Sequence, residues 1–234
     1  MTSSEKAPSI LGLIFTGGEG PQPQHIAAIA EDARIAGGGA PLIAAADSGL
    51  LLAQGSGAEA DWIVGDMDSL GENAKSGLNS LDAFPPEKII RHPHDKDLTD
   101  TELAFSLLRE KGCGKIWIIG GGGGRLDHLL GIRSLFERDD PPERWITAAE
   151  DIRCIGESIS AALIVSHNTL LCPVSVFPLG GGPWEAESSG LKWPLSGLPW
   201  TRDFIAISNV APDGNFTIKA KQGRFLVMWP LWHQ

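Results

Sequence analysis

Apolar residues in roughly the first 150 positions fall into short runs, each closed by glycine or by a polar residue. Residues 10–15 form such a run and end at Thr16-Gly17-Gly18-Glu19-Gly20, which predicts a buried strand and then a loop. Over residues 24–36, Ile26, Ile29, Ala30 and Ala33 recur at helical spacing until Gly37-Gly38-Gly39 stops them. Residues 42–46 predict a second strand, 50–54 a short helix and 62–64 a third strand. A weaker strand follows at 88–91 and a clear one at 115–119. Between these two, Thr99 and Glu102 have the spacing of a capping box ahead of Leu103, Leu107 and Leu108, with Gly112 at the C-cap. A last helix has Leu126, Leu129, Leu130 and Leu135 as its apolar positions.

Strands alternating with helices imply βαβ units and a mostly parallel sheet. After Asp151 the texture changes. The runs at 161–165, 174–177, 204–207 and 225–229 are short and β-type, Gly, Pro and Asn separate them, and Pro212-Asp213-Gly214-Asn215 is a hairpin turn signal. The fold expected is therefore α/β, with a Rossmann-like parallel-sheet domain at 1–150 followed by a small all-β sandwich at 151–234.

Composition changes this picture little. Hydrophobic residues make up 42% and charged residues 21% of the 234, ordinary values for a globular chain. A net charge of −10 argues against a nucleic-acid partner. Any phosphate bound here is left to backbone amides, a few cations and a metal. Cys113, Cys154 and Cys172 are odd in number and far apart, so neither a disulfide framework nor a metal-ligand spacing follows. The first residues lack a basic stretch with a long apolar core, and a cytoplasmic protein with no membrane partner is expected.

In parallel sheets ligands collect beyond the carboxyl ends of the strands. Asp47, Asp66, Asp68 and the glycines at 120–124 all occupy that end. Asp66 and Asp68, spaced i, i+2 after Gly65, offer two hard carboxylates for one cation, and open positions beside them suit Mg²⁺. A solvated turn is the other use of such a pair. The segment from His94 to Glu102 adds Asp95, Asp97, Asp100 and Glu102 with Lys96 among them. Acids here also favour a helix N-terminus, but four acids beside a lysine exceed what a cap needs. Five glycines and Arg125, placed between a strand and a helix, fit a backbone that lies close to phosphate with a guanidinium fork at its start. The P-loop pattern is absent, and the Gly-x-Gly-x-x-Gly fingerprint fails at Arg125.

Ala46-Asp47-Ser48-Gly49, Gly65-Asp66-Met67-Asp68-Ser69, Lys96-Asp97-Leu98-Thr99-Asp100 and Gly124-Arg125-Leu126-Asp127-His128 occur in the order and spacing of the thiamine pyrophosphokinase family. Ser189-Gly190-Leu191-Lys192-Trp193-Pro194-Leu195 and Ile207-Ser208-Asn209 resemble its thiamine-side motifs. Met67 stands where the family usually has Phe, and Ser48 where Gly is common. The resemblance implies transfer of a pyrophosphoryl group from ATP, as co-substrate, to the thiamine hydroxyl. It also implies Mg²⁺ on Asp66, Asp68 and Asp100, with Asp47 and Asp97 close by and a catalytic part for Asp97. Asp47, Lys96, Asp97, Thr99, Arg125, Asp127 and His128 would meet ATP; Trp193, Ser208 and Asn209 would meet thiamine. A homodimer with active sites shared between chains is part of the same implication. Two rivals are a phosphatase using Asp-x-Asp and a thiamine- or nucleotide-binding sensor. Leu70 stands where that phosphatase motif has Thr or Val, and a sensor has no need of so many acids.

Overall fold

The computed structural model describes residues 10–67, 84–92, 97–157, 159–166 and 170–231. They form two compact units, Met1–Ile132 and Arg133–Gln234. The division thus lies ahead of the 150/151 boundary expected from texture. Residues 144–146 pair antiparallel with the next strand of the β-rich half, although their sequence, Arg-Trp-Ile, is too short to signal a strand.

In the first unit, strands β1 (Leu11–Thr16), β2 (Leu42–Ala46), β3 (Trp62–Gly65), β4 (Ile89–Arg91) and β5 (Lys115–Gly120) are parallel, in the order β5-β1-β2-β3-β4. Every residue of β1 is buried, so its sequence is a continuous apolar run and not an alternating one. Helices α1 (Pro23–Gly37), α2 (Gly49–Gly55), α3 (Asp100–Glu110) and α4 (Leu126–Leu135) complete it. The core face of α1 is Ile26, Ile29 and Ala33, and the helix ends on Gly38 in the left-handed conformation. The capping box of α3 is formed: Glu102 N donates to Thr99 Oγ1 at 3.2 Å and Thr99 N to Glu102 Oε2 at 2.9 Å. Its cap is Lys111, and Gly112 follows with φ +87°. In α4, Leu135 is buried as expected. Leu126 and Leu130, at 67% and 58% exposure, are not core positions.

The second unit contains β6 (Arg144–Ile146), β7 (Glu150–Gly156), β8 (Ala162–Ser166), β9 (Cys172–Leu179), β10 (Glu185–Ser189), β11 (Ala206–Ala211), β12 (Asn215–Gln222) and β13 (Arg224–Pro230). One antiparallel sheet runs β11-β9-β13-β7-β6 and a second β10-β12-β8. Ile155, Val174, Val176, Phe225 and Val227 of the first share one core with Ala186, Phe216 and Ile218 of the second, which makes the unit a sandwich. The strand expected at 204–207 begins only at Ala206; Phe204 instead packs edge-on against Trp200, their ring centroids 5.7 Å apart.

Arg144 and Asp151 are buried together, with Arg144 Nε donating to Asp151 Oδ1 at 2.9 Å and Nη2 to Oδ2 at 2.7 Å. Arg153 reaches the same carboxylate at 3.1 Å. The three cysteines are free and buried, and burial pushes the Cys154 thiol up to about 12. Among the described residues no helix is long and apolar enough to cross a membrane.

Candidate active site

The loops leaving β1, β2 and β3, together with the start of α3, build one cavity of about 320 Å³. Asp47 follows β2 directly. Its backbone takes φ +47°, its N–H donates to Val64 O at 2.9 Å, and its carbonyl accepts from Leu50 N at 3.0 Å. This residue is therefore fixed between β2, β3 and α2. Asp66 comes after β3, and Met67 then turns with φ +67° and buries its side chain among Ala45, Leu50, Ala60 and Ile63. The buried thioether anchors the turn and leaves Asp66 half-buried on the cavity wall. A large apolar residue at 67 is thus a packing requirement, which Met fills as a Phe would.

Asp100 is the first residue of α3, so the capping box fixes its place. Its carboxylate lies over Gly65, whose missing Cβ would sit 3.1 Å from Asp100 Cγ; Gly65, with φ +147°, makes room for it. One carboxylate oxygen from each of Asp47, Asp66 and Asp100 lies within 4.8 Å of the others. Like charges at such distances repel by about 3–4 kcal/mol per pair at a surface-like effective dielectric. Hard oxygens converging in this way fit a divalent cation such as Mg²⁺.

Asp97, Thr99 and His128 also line the cavity. Beside the acids lie the hydroxyls of Thr16 and Thr101, 2.7 Å apart and both buried, joining the end of β1 to α3. Neither threonine is among the residues the sequence marks as candidates for the site. The signal was available, since Thr16 ends the first apolar run as Asp47 and Asp66 follow the next two.

Other expected residues stand elsewhere. Arg125 and Asp127 do not line the cavity; Arg125 Nε donates to Asp127 Oδ1 at 3.1 Å, and both side chains are largely exposed. The guanidinium holds the Asp127 carboxyl below its usual range, and the carboxylate raises that of Arg125. The glycine run differs from expectation. Gly121 N donates to Gly17 O at 3.0 Å and Gly122 N to Glu19 O at 2.9 Å, so these two amides are spent on the loop after β1 and not offered to phosphate. Gly120, at φ +98°, permits that contact: a Cβ there would meet Thr16 O at 2.4 Å. Asp68 and Lys96 lie outside the described residues.

Trp193, Ser208 and Asn209 belong to the second unit. Trp193 is 51% exposed, with Lys192 Nζ 4.5 Å from its ring centroid, so one face of the ring already carries a cation. Ser208 is exposed at φ +57°, in a bulge of the β11–β9 pairing. Asn209 is buried at 5% exposure.

Residues 38–141 match the family model of the thiamin pyrophosphokinase catalytic domain. That span includes Asp47, Asp66, Asp97, Asp100 and Asp127 and stops short of Trp193 and Asn209. No curated protein matches the chain at a significant level. Among solved structures, a thiamine pyrophosphokinase from Bacillus subtilis superposes with a TM-score of 0.73 at 21% identity, covering 94% of this chain and 98% of its own. One from Geobacillus thermodenitrificans gives 0.67 at 22%, covering 94% and 97%. That of Candida albicans gives 0.64 at 15%, covering 95% and 89%. These likenesses establish the fold.

Proposed function

With residues 38–141 matching the thiamin pyrophosphokinase catalytic domain, we propose that the protein transfers a pyrophosphoryl group from ATP to thiamine, giving thiamine diphosphate and AMP. The observation that carries this reading is the convergence of Asp47, Asp66 and Asp100 at the strand ends, inside the family-matched segment. Phosphoryl-type transfers ask the protein for positioning and charge screening more than for covalent chemistry.

Asp66 and Asp100, with Asp47 and Asp68, would hold Mg²⁺, which would supply charge screening and Lewis-acid polarisation for the polyphosphate. In the reaction the thiamine hydroxyl oxygen bonds to the β-phosphorus. The bond from that phosphorus to the α-phosphate oxygen breaks, and AMP leaves with the electron pair. One carboxylate of the cluster accepts the hydroxyl proton. The Thr16 and Thr101 hydroxyls line the same cavity and spend one proton on the bond between them, so the other would be the one donated to a phosphate oxygen. Lys96 and Arg125 supply cations for the polyphosphate, and Asp127 holds Arg125 at the ready. Asp97, Thr99 and His128 complete the nucleotide side, and Trp193 with Ser208 offers a flat face and a hydroxyl to thiamine. The protein works in the cytoplasm on this reading.

The test is direct. Purified protein given ATP, Mg²⁺ and thiamine should form thiamine diphosphate and AMP in equal amounts. ADP release without thiamine diphosphate, or no turnover, overturns the assignment.

The same reading makes the protein a homodimer, the acid cluster of one chain working with the Trp193 segment of the other. Asp66→Asn damages the first and Asn209→Ala the second, so with thiamine held below the parental KM each variant alone should be weak. A mixed dimer then carries one doubly damaged site and one intact site, and mixing should restore activity. If a tag pull-down shows subunit exchange and activity stays low, each chain builds its own site.

A further inference from the structure

We infer that Asn209 is a positioning residue that acts through Trp193, and not a group that touches the acceptor. The inference rests on the proposed thiamine chemistry for its kinetic consequence, but its structural basis is independent. Asn209 Oδ1 accepts from Trp193 N at 3.2 Å and from Val210 N at 2.8 Å, while Nδ2 donates to Trp193 O at 2.7 Å. An amide oxygen has two accepting positions, and both are taken. At 5% exposure the side chain presents almost nothing to a ligand.

The local backbone is shaped to make this possible. The β11–β9 register shifts between Ala206 and Asn209, Ser208 turns through φ +57°, and Ser208 N donates to Ser175 Oγ at 3.2 Å. A bulge of this kind re-aims the side chain that follows it. Here it sends Asn209 inward under the segment that carries Trp193. Lys192 N donates to Val210 O at 2.8 Å, Leu195 N donates to Ser188 Oγ at 3.0 Å, and Leu195 is fully buried. The segment is therefore strapped down on both sides of Trp193, and Asn209 holds the main-chain N–H and C=O of Trp193 itself. What projects is a half-exposed indole on an immobilised backbone. That arrangement suits stacking on a flat heteroaromatic ring, because the ordering entropy of the platform is already lost before the ligand arrives.

A double-mutant cycle on the full chain separates the two roles. Trp193→Ala and Asn209→Ala should each raise the KM for thiamine by about tenfold, with the KM for ATP changed by less than about twofold. In the Trp193→Ala background, adding Asn209→Ala should raise the thiamine KM by less than about twofold more. Effects that multiply instead would mean that Asn209 meets the acceptor directly, and the inference falls. A second readout needs no catalysis. The emission lost on Trp193→Phe isolates the Trp193 signal, and Asn209→Ala should make that signal more accessible to acrylamide; unchanged quenching also overturns the inference. Should the alanine variant fail to fold, Asn209→Asp is near-isosteric, keeps both accepting bonds and turns the donation to Trp193 O into a repulsive contact between two acceptor oxygens. It should shift thiamine KM and quenching in the same direction as the alanine variant, and parental values of both would overturn the inference. A chain that makes no thiamine diphosphate but shows the quenching change defeats the proposed function and leaves the positioning role standing.

Discussion

Asp66→Asn is expected to lower turnover by about a hundred- to a thousandfold, with a thermal midpoint equal to or above that of the parent. The two halves of this expectation have one cause. Asp47, Asp66 and Asp100 bring three carboxylate oxygens within 4.8 Å of one another, and like charges so close oppose folding. Neutralising one relieves the fold and removes a charge that the transferring group needs. Asp66 is the cleanest site for the change, because Asp100 also begins α3 and favours the positive end of that helix. The measurements are kcat from AMP formation and a melting curve in metal-free buffer. Turnover within a few-fold of the parent would remove Asp66 from the chemistry. A large fall in the midpoint would show instead that the carboxylate is part of the scaffold.

Arg144→Ala should cost about 3–5 kcal/mol of stability, the largest effect expected of a single change in the second unit. Arg144 and Asp151 are 4% and 5% exposed and make a two-pronged pair, with Arg153 on the rim of the same carboxylate. Removing the arginine leaves a buried negative charge held from one side only. The pair itself adds little over a well-packed apolar replacement, so Arg144→Met with Asp151→Leu should recover most of the loss. Urea melts of the three proteins decide the matter. A single variant within about 1 kcal/mol of the parent, or a double variant as weak as the single, would contradict this account.

The first unit was legible because its central strands, such as β1, are buried on both faces, and continuous apolar runs such as 10–15 then stand out from their loops, whereas the edge strand β4 is only half-buried and gives a weaker signal. The capping box at Thr99 and Glu102 was equally plain, since its chemistry lies in two residues three apart. Less of the sandwich could be read. Strand β12 does alternate, with Phe216, Ile218 and Ala220 inward and Lys219 and Lys221 outward, but its polar half masks the run. Strand β10, Glu-Ala-Glu-Ser-Ser, buries a single residue fully and carries almost no apolar signal. In the site, the acids at strand ends were found by position. The Thr16–Thr101 pair joins residues distant in sequence, and only the fold brings them to 2.7 Å. Asn209 stands out in the sequence as a polar residue on an apolar strand, whereas its partner, the main chain of Trp193, leaves no trace in residue identity.

The paired loops after β1 and β5 bear on how this sequence can change over generations. Glu19 and Gly122 form an antiparallel bridge, and Gly120 leaves no space for a Cβ beside Thr16 O. An inserted or deleted residue in either loop would slip that bridge and carry a side chain into main chain. Length variation among descendants of this chain should therefore avoid both loops, even though glycine-rich loops usually tolerate it best. A library built to retune the cavity should hold residues 17–20 and 120–124 at constant length and draw its diversity from the walls.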